Sequence, residues 1–285
     1  MVIALVDFEL PSAKEFFVKS IHETGFSVIK NHGIDKKLIE KVFKQWEVFF
    51  SGSEQNKKKY LFHRDFPRVQ SGFFPQEVSE RAKGVKAKDL KEFFHYYPCV
   101  KEHSSFIGRE TQELRSQLIS LAKTLLVYLE EALPEGIKKQ MSQPLSCMID
   151  EEYNTLLRVL HYPPLEEKRE NGSIRAAAHE DINLITLLIS PSAPGLQALD
   201  KESVWQDVPC EENCITVNIA DMLQECSNGF YQSTKHRVIN LENSFGNKSR
   251  YSIPLFLHPR DEVVLSKRYT AKEYRMERIN ELGLL

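Results

Sequence analysis

The sequence predicts a mixed α+β chain, with a helical first half, a closed or double-sheet β architecture, and a helical tail. Three observations predict it. Apolar residues recur at the helical period in two long stretches before Leu133. After Tyr153 the texture changes to short apolar runs separated by Pro, Gly and Asn. Finally, Thr270-Ala271-Lys272-Glu273 has the reciprocal Thr/Glu spacing that opens a helix.

Met1–Asp7 lacks basic flanks and is too short for a signal peptide, so it reads as a first strand. Pro11 to about Thr24 reads as a helix, with Phe16, Phe17 and Ile21 on one face and Gly25 ending it. Phe26–Ile29 is a short strand and Asn31-His32-Gly33 a turn, which His32 fixes. Asp35 caps the next helix, where Leu38, Ile39, Val42, Phe43, Trp46, Phe49 and Phe50 keep the helical period. A polar, irregular region is expected from Ser51 to Lys88, with Lys57-Lys58-Lys59 as a solvated helix end. The second long helix runs from Thr111 to Leu133 on a stripe of Leu114, Leu118, Leu121, Leu125 and Leu129. Strands follow over Thr155–Tyr162, Asp181–Ile189, Gly195–Leu199, Cys214–Ile219, His236–Leu241 and Arg250–His258. The chain reads as one domain, 1–285. It has a helical and strand N-terminal region over 1–100, a β core over 153–260 and a C-terminal helix over 270–285.

The bulk numbers exclude several classes of function. At 285 residues and 41% hydrophobic, the chain has material for one large core. A net charge of −2 leaves no global basic field of the kind nucleic acid selects. No apolar run approaches the ~18 residues of a membrane span. Five cysteines without regular spacing argue against a disulfide framework, and Cys210 and Cys214 have no second pair to complete a zinc site. The expected compartment is a reducing cytoplasm.

The chemistry centres on His179-Glu180-Asp181. On a strand, positions i and i+2 share a face, so His179 and Asp181 project together and Glu180 turns away. His236, at the head of another apolar strand, is the candidate third ligand. Two His and one carboxylate on one face leave the opposite metal positions open, which suits Fe(II) oxygenases. The helical H-E-x-x-H of zinc hydrolases is absent. Taken alone, H-x-D is a common pattern. Arg250-Tyr251-Ser252 repeats the i, i+2 logic with a guanidinium and a hydroxyl, a suitable clamp for a carboxylate. Tyr162, before Pro163-Pro164, offers a third donor. His161 alternates away from Tyr162 and reads as structural; His95, after the central Phe93-Phe94, could face the pocket.

These pieces resemble the isopenicillin N synthase-like family of iron and 2-oxoglutarate dependent oxygenases. The resemblance spans nearly the whole chain. It begins with Gly25-Phe26-Ser27-Val28-Ile29-Lys30-Asn31-His32-Gly33-Ile34 and Asp89-Leu90-Lys91-Glu92-Phe93-Phe94. It continues with His161-Tyr162-Pro163-Pro164, His179-Glu180-Asp181, Pro194-Gly195-Leu196-Gln197 and Asn218-Ile219-Ala220-Asp221. Ser227-Asn228-Gly229, His236-Arg237-Val238 and Arg250-Tyr251-Ser252 complete it. Three departures stand out. Leu160 replaces the common Asn, Ala220 replaces a common Gly, and Asn243–Lys248 lengthens the turn before Arg250.

The resemblance implies a double-stranded β-helix (jelly-roll, cupin-like) core. It implies Fe(II) at His179, Asp181 and His236, and 2-oxoglutarate at Arg250, Ser252 and Tyr162. O2 would be the oxidant and ascorbate a possible reductant. A small-molecule substrate would be oxidised, by hydroxylation, with release of succinate and CO2. No nucleic-acid or membrane partner is expected, and a monomer is favoured. Two alternatives stay open from the sequence. One is an Fe(II) oxidase of the isopenicillin N synthase type that does not use 2-oxoglutarate. The other is a non-catalytic binding protein on the same fold.

Overall fold

The structure is a computed structural model that describes residues 2–62, 70–78, 91–100, 107–164, 175–190, 193–239 and 248–281. Asp89, Leu90 and most of the turn before Arg250 lie outside the described residues, as do the last residues of the tail.

The N-terminal elements form where local chemistry favours them. Strand β1 (Leu5–Asp7) pairs in parallel with β2 (Phe26–Lys30). Between them runs α1 (Ala13–Thr24), ended by Gly25 at φ 72°, whose N–H bonds to Ile21 O. Only Phe17 and Ile21 of the expected apolar face are buried; Phe16 is 53% exposed. Adjacent helical residues point about 100° apart, so a single stripe cannot take both phenylalanines. Asp35 caps α2 (Lys36–Phe50) by accepting from Lys37 N. His32 braces the turn before it: its Nε2 donates to Asn213 O at 3.1 Å and its Nδ1 accepts from Ile34 N.

The described residues of the region expected to be irregular, 51–62 and 70–78, include ordered elements. They contain helix α3 (Glu54–Lys58) and strand β3 (Gly72–Phe74). Lys57 is not a solvated helix end. It is buried, with Nζ 2.9 Å from Glu92 Oε2 and 2.6 Å from Glu54 Oε1. The short strand β4 (Glu92–Tyr96), which the sequence reading also missed, brings Glu92 there. Short strands carry too few residues for their period to register above noise, and β4 forms because its neighbours offer open edges. Helix α4 (Arg109–Glu131) buries the predicted leucine stripe, and the short α5 (Glu135–Lys138) follows it.

The β core comprises β5 (Leu156–Tyr162), β6 (Ala176–His179), β7 (Ile185–Ile189), β8 (Leu196–Leu199), β9 (Trp205–Asp207), β10 (Ile215–Ile219), β11 (His236–Val238) and β12 (Arg250–Leu257). They build two sheets, an eight-stranded one ordered β1-β2-β10-β7-β12-β5-β4-β3 and a four-stranded one ordered β6-β11-β8-β9. Helix α6 (Asp221–Cys226) follows β10, and α7 (Ala271–Glu281) closes the described chain. Thr270 and Glu273 make the expected reciprocal cap, with Thr270 N donating to Glu273 Oε2 at 2.8 Å.

Residue alternation gives the large sheet two different faces. One carries Leu157, Val159, Ile185, Leu187, Ile253 and Leu255 into the main core with α1, α2 and α4. The other faces the small sheet. At one end of that interior lies an apolar cluster around Phe26, Val28, Ala198 and Val238. At the other end lies an aromatic cluster of Phe74, Phe93, Leu160 and Tyr162. Of the polar residues singled out in the sequence, His179, His236, Arg250 and Ser252 sit on strands of these two sheets.

Candidate metal centre and cosubstrate pocket

His179 ends β6 and His236 begins β11, and the two are direct partners in the antiparallel register. Their rings lie 4.4 Å apart between centroids. Asp181 Oδ1 is 3.7 Å from His179 Nε2 and 3.7 Å from His236 Nε2. One potential ligand atom from each residue lies within 4.8 Å of the others. The sequence therefore named the three residues that converge, but its reason was partly wrong. Asp181 is not on a strand. The chain leaves β6 after His179 and bends through 182–184 before β7 starts at Ile185. The bend is held by tertiary bonds: Asp221 N donates to Asp181 O, Met222 N to Asn183 O, and Leu184 N to Leu257 O.

Each putting-forward of a lone pair toward the metal position is set from behind. His179 Nδ1 lies 2.8 Å from Ala177 O and His236 Nδ1 3.1 Å from Thr234 O. A carbonyl can only accept, so Nδ1 carries the proton in both rings and Nε2 is left to bind. Asp181 Oδ2 accepts from Thr186 Oγ1 at 2.6 Å and from Asn218 Nδ2 at 2.9 Å. That leaves Oδ1 facing the histidines. Burial raises the Asp181 pKa, but His236, His179, Thr186 and Asn218 together outweigh it, and the group is held below the ordinary carboxylate value. His179 is depressed to about 4, first by desolvation and then by His236. Its side chain is 44% exposed, so water reaches the outer edge and tempers that desolvation. Thr186 was missed in the sequence, where it reads as one more β-branched strand residue. Asn218 lies in the Asn218-Ile219-Ala220-Asp221 motif, but nothing local to that motif points to Asp181.

Arg250 and Tyr162 are direct partners across β12 and β5, as are Ser252 and Leu160. All four project to the interior of the two-sheet core. Arg250 is 1% exposed. Its Nε donates to Ala193 O at 2.9 Å. Its two Nη atoms, though buried, have no hydrogen-bond partner among the described residues. Burial lowers its pKa, with the nearby Tyr162 hydroxyl opposing. The guanidinium carbon lies 5.2 Å from the centre of the Tyr162 ring. A buried forked cation with unmet donors fits a carboxylate ligand, since leaving such a group unsatisfied is costly. Ser252 is buried on the same face. Glu180 is exposed and lines a surface cleft with Asp200, Lys201 and Lys235, away from the metal position. His161 is structural as expected, bonded to Glu92 and Ser249 on the opposite face from Tyr162.

A two-sheet barrel carrying an open face of two histidines and one carboxylate defines the class, a mononuclear non-haem metal oxygenase. Comparison with known proteins gives the family. Residues 153–259 match the 2OG-Fe(II) oxygenase superfamily, and residues 3–117 match the N-terminal region described as "non-haem dioxygenase in morphine synthesis". A Shewanella oneidensis crystal structure described as an oxygenase is 47% identical, with 100% of each chain covered and a TM-score of 0.88. A 2OG-Fe(II) oxygenase family protein of Caulobacter crescentus is 28% identical, with 99% of each chain covered and a TM-score of 0.76. Gibberellin 2-beta-dioxygenase of Phaseolus coccineus is 26% identical, covering 90% of this chain and 76% of its own. The chain belongs to the 2-oxoglutarate and Fe(II)-dependent oxygenase superfamily. It is an oxidoreductase whose cofactors are Fe(II), 2-oxoglutarate and O2. Of the two alternatives left open by the sequence, neither the 2-oxoglutarate-independent oxidase nor the non-catalytic binding protein is favoured. No described helix is long and apolar enough to cross a membrane.

Proposed function

We propose that His179, Asp181 and His236 hold the Fe(II), and that Arg250, Ser252 and Tyr162 hold 2-oxoglutarate, in an enzyme that hydroxylates a small molecule. The observation that carries this reading is the pair of buried Arg250 Nη atoms, which find no hydrogen-bond partner of good geometry among the described residues. When bound, the iron and 2-oxoglutarate supply O2 activation coupled to decarboxylation, with succinate and CO2 as products. The chain's own part is to bind and orient. Asp181 Oδ1 and the two Nε2 atoms occupy one face and leave the other for ligands. Thr186 and Asn218 fix which Asp181 oxygen is available. Arg250 takes the far carboxylate through its fork, and Ser252 adds a hydroxyl beside it. The apolar clusters at both ends keep bulk water from the reacting centre.

The domain reading remains a single oxygenase unit over 1–285, with the metal and cosubstrate core at 153–260. Five free thiols suit a reducing cytoplasm. The test is an anaerobic titration of the Fe(II) protein with 2-oxoglutarate, watching for a metal-to-ligand charge-transfer band, followed by succinate assay under air. A protein that binds Fe(II) yet shows neither band nor succinate overturns the reading.

A further inference from the structure

Behind the proposed cosubstrate pocket, on the opposite face of the large sheet, runs a chain of polar side chains that the site above does not use. It starts at the surface with Glu54 of α3, whose Oε1 is 2.6 Å from Lys57 Nζ. Lys57 Nζ also donates to Glu92 Oε2 at 2.9 Å. The other oxygen of Glu92, Oε1, lies 2.7 Å from His161 Nδ1, and His161 Nε2 lies 3.0 Å from Ser249 Oγ. Ser249 also bonds the side chain of Tyr251. A carboxylate can only accept, so His161 Nδ1 carries a proton toward Glu92. Lys57, Glu92 and His161 are buried, and Ser249 is partly buried.

These bonds cross the sheet at one level. Glu92 and His161 are register partners between β4 and β5, and His161 and Tyr251 between β5 and β12. The His161 and Tyr251 rings stack at 4.7 Å and 11°. The next rung of the same ladder is Tyr162 with Arg250. Successive strand residues point to opposite faces, so His161 and Tyr251 back directly onto Tyr162 and Arg250. Ser249 is the residue just before Arg250, where β12 begins. The polar chain therefore ties down, from behind, the strand end that carries the fork.

Burying an ion pair and an imidazole costs desolvation that apolar side chains of similar volume would not. Apolar contacts tolerate small slips along a strand, whereas hydrogen bonds set distance and direction. Two-pronged recognition of a carboxylate needs the fork held to within about 0.5 Å, and a strand end is where a ladder opens first. We infer that Lys57, Glu92, His161 and Ser249 form a positioning network that holds Arg250 in register for the far carboxylate of 2-oxoglutarate, an inference that rests on the proposed cosubstrate reading. The four residues act from the far side of the sheet, through the backbone of β12. Lys57 makes helix α3 of the N-terminal region part of that support.

The experiment uses the full chain loaded with Fe(II) under argon. Two ligands are titrated by the metal-to-ligand charge-transfer band: 2-oxoglutarate, and 2-oxopentanoate, which has the same 2-oxo acid end and no far carboxylate. Wild type should prefer 2-oxoglutarate. Ser249→Ala and Glu92→Gln should each weaken 2-oxoglutarate by about 5- to 30-fold, the scale of one lost hydrogen bond, and leave 2-oxopentanoate within about twofold. Ser249→Thr, which keeps the hydroxyl, should bind 2-oxoglutarate within about threefold of wild type. In an Arg250→Ala background, Ser249→Ala should change 2-oxoglutarate affinity by less than about twofold, because both act on one contact. The inference is overturned if Ser249→Ala keeps the wild-type preference, if it weakens both ligands alike, or if its effect adds in full to that of Arg250→Ala. Ser249 is only partly buried, so its variants decide the matter even where Glu92→Gln fails to fold. A wild type that binds the two ligands equally is a different failure, that of Arg250 as the cosubstrate clamp, and this inference falls with it.

Discussion

His179 and His236 face each other as register partners across β6 and β11, and Asp181 Oδ1 lies the same 3.7 Å from Nε2 of each. A pair of histidines set by one strand pairing, with a carboxylate brought in by a loop, makes the site depend on both. His179→Ala, Asp181→Ala and His236→Ala should each lose stoichiometric Fe(II) while the chain still melts cooperatively. Thr186→Val should retain iron more weakly, by roughly 10–100-fold, since a partner of the ligand is lost and not the ligand itself. Equilibrium dialysis against Fe(II) under argon measures both. Undiminished iron affinity in Asp181→Ala would remove it from the site.

Glu180 points into a surface cleft with Lys201 and Lys235. Glu180→Gln should keep Fe(II) binding and 2-oxoglutarate turnover within about twofold of wild type, consistent with the small effect of surface changes. Metal loss as complete as in Asp181→Ala would mean the wrong carboxylate has been chosen.

For Arg250, removing one member of a buried charge pair typically costs ~2–5 kcal/mol. Arg250→Ala should therefore need roughly 30- to several-thousand-fold more 2-oxoglutarate while still binding Fe(II). Arg250→Lys should fall between, having charge without the fork. Ser252→Ala should cost ~1 kcal/mol, somewhat more toward a charged group. Band titration gives all three constants, and equal constants for wild type and Arg250→Ala would exclude the clamp.

Acid should destabilise the metal-free chain through His258. Its pKa in the folded state is about 4, pushed down mainly by burial. The unfolded chain carries an ordinary imidazole near ~6.5. Between these values the unfolded state binds more protons, so stability is full above ~6.5 and declines as pH falls toward 4. Urea melts across that window should show the decline, and His258→Asn should make it shallower, leaving the share that His179 contributes in the metal-free chain. An unchanged slope in His258→Asn would move the effect to other groups.

The core itself offers a contrast between two neighbouring features. Leu125 is fully buried in α4, and Leu125→Ala should cost about 2–5 kcal/mol. Phe16 is 53% exposed, and Phe16→Ala should change stability by no more than about 0.5 kcal/mol. A large loss at Phe16 would show that its face of α1 is covered in solution.

Much of this was legible in the residues alone, where the deciding interaction is local or where several motifs agree in order. The Asp35 cap, the Thr270–Glu273 cap, the Gly25 helix stop and the Leu114–Leu129 stripe each depend on residues within a few positions of one another. The three proposed ligands were legible too, because their identities are chemical. What tertiary structure alone decided is position. Asp181 reaches the histidines from a bend held by α6 and β12, not from strand alternation. The choice of Phe17 over Phe16 depends on where the core lies. Lys57 is buried because Glu92, on a strand too short to see in sequence, comes to meet it. The roles of Thr186 and Asn218 exist only once β7 and β10 are paired. Local sequence sets backbone preferences and side-chain chemistry, whereas partners distant along the chain are chosen by how the sheets close around a shared core.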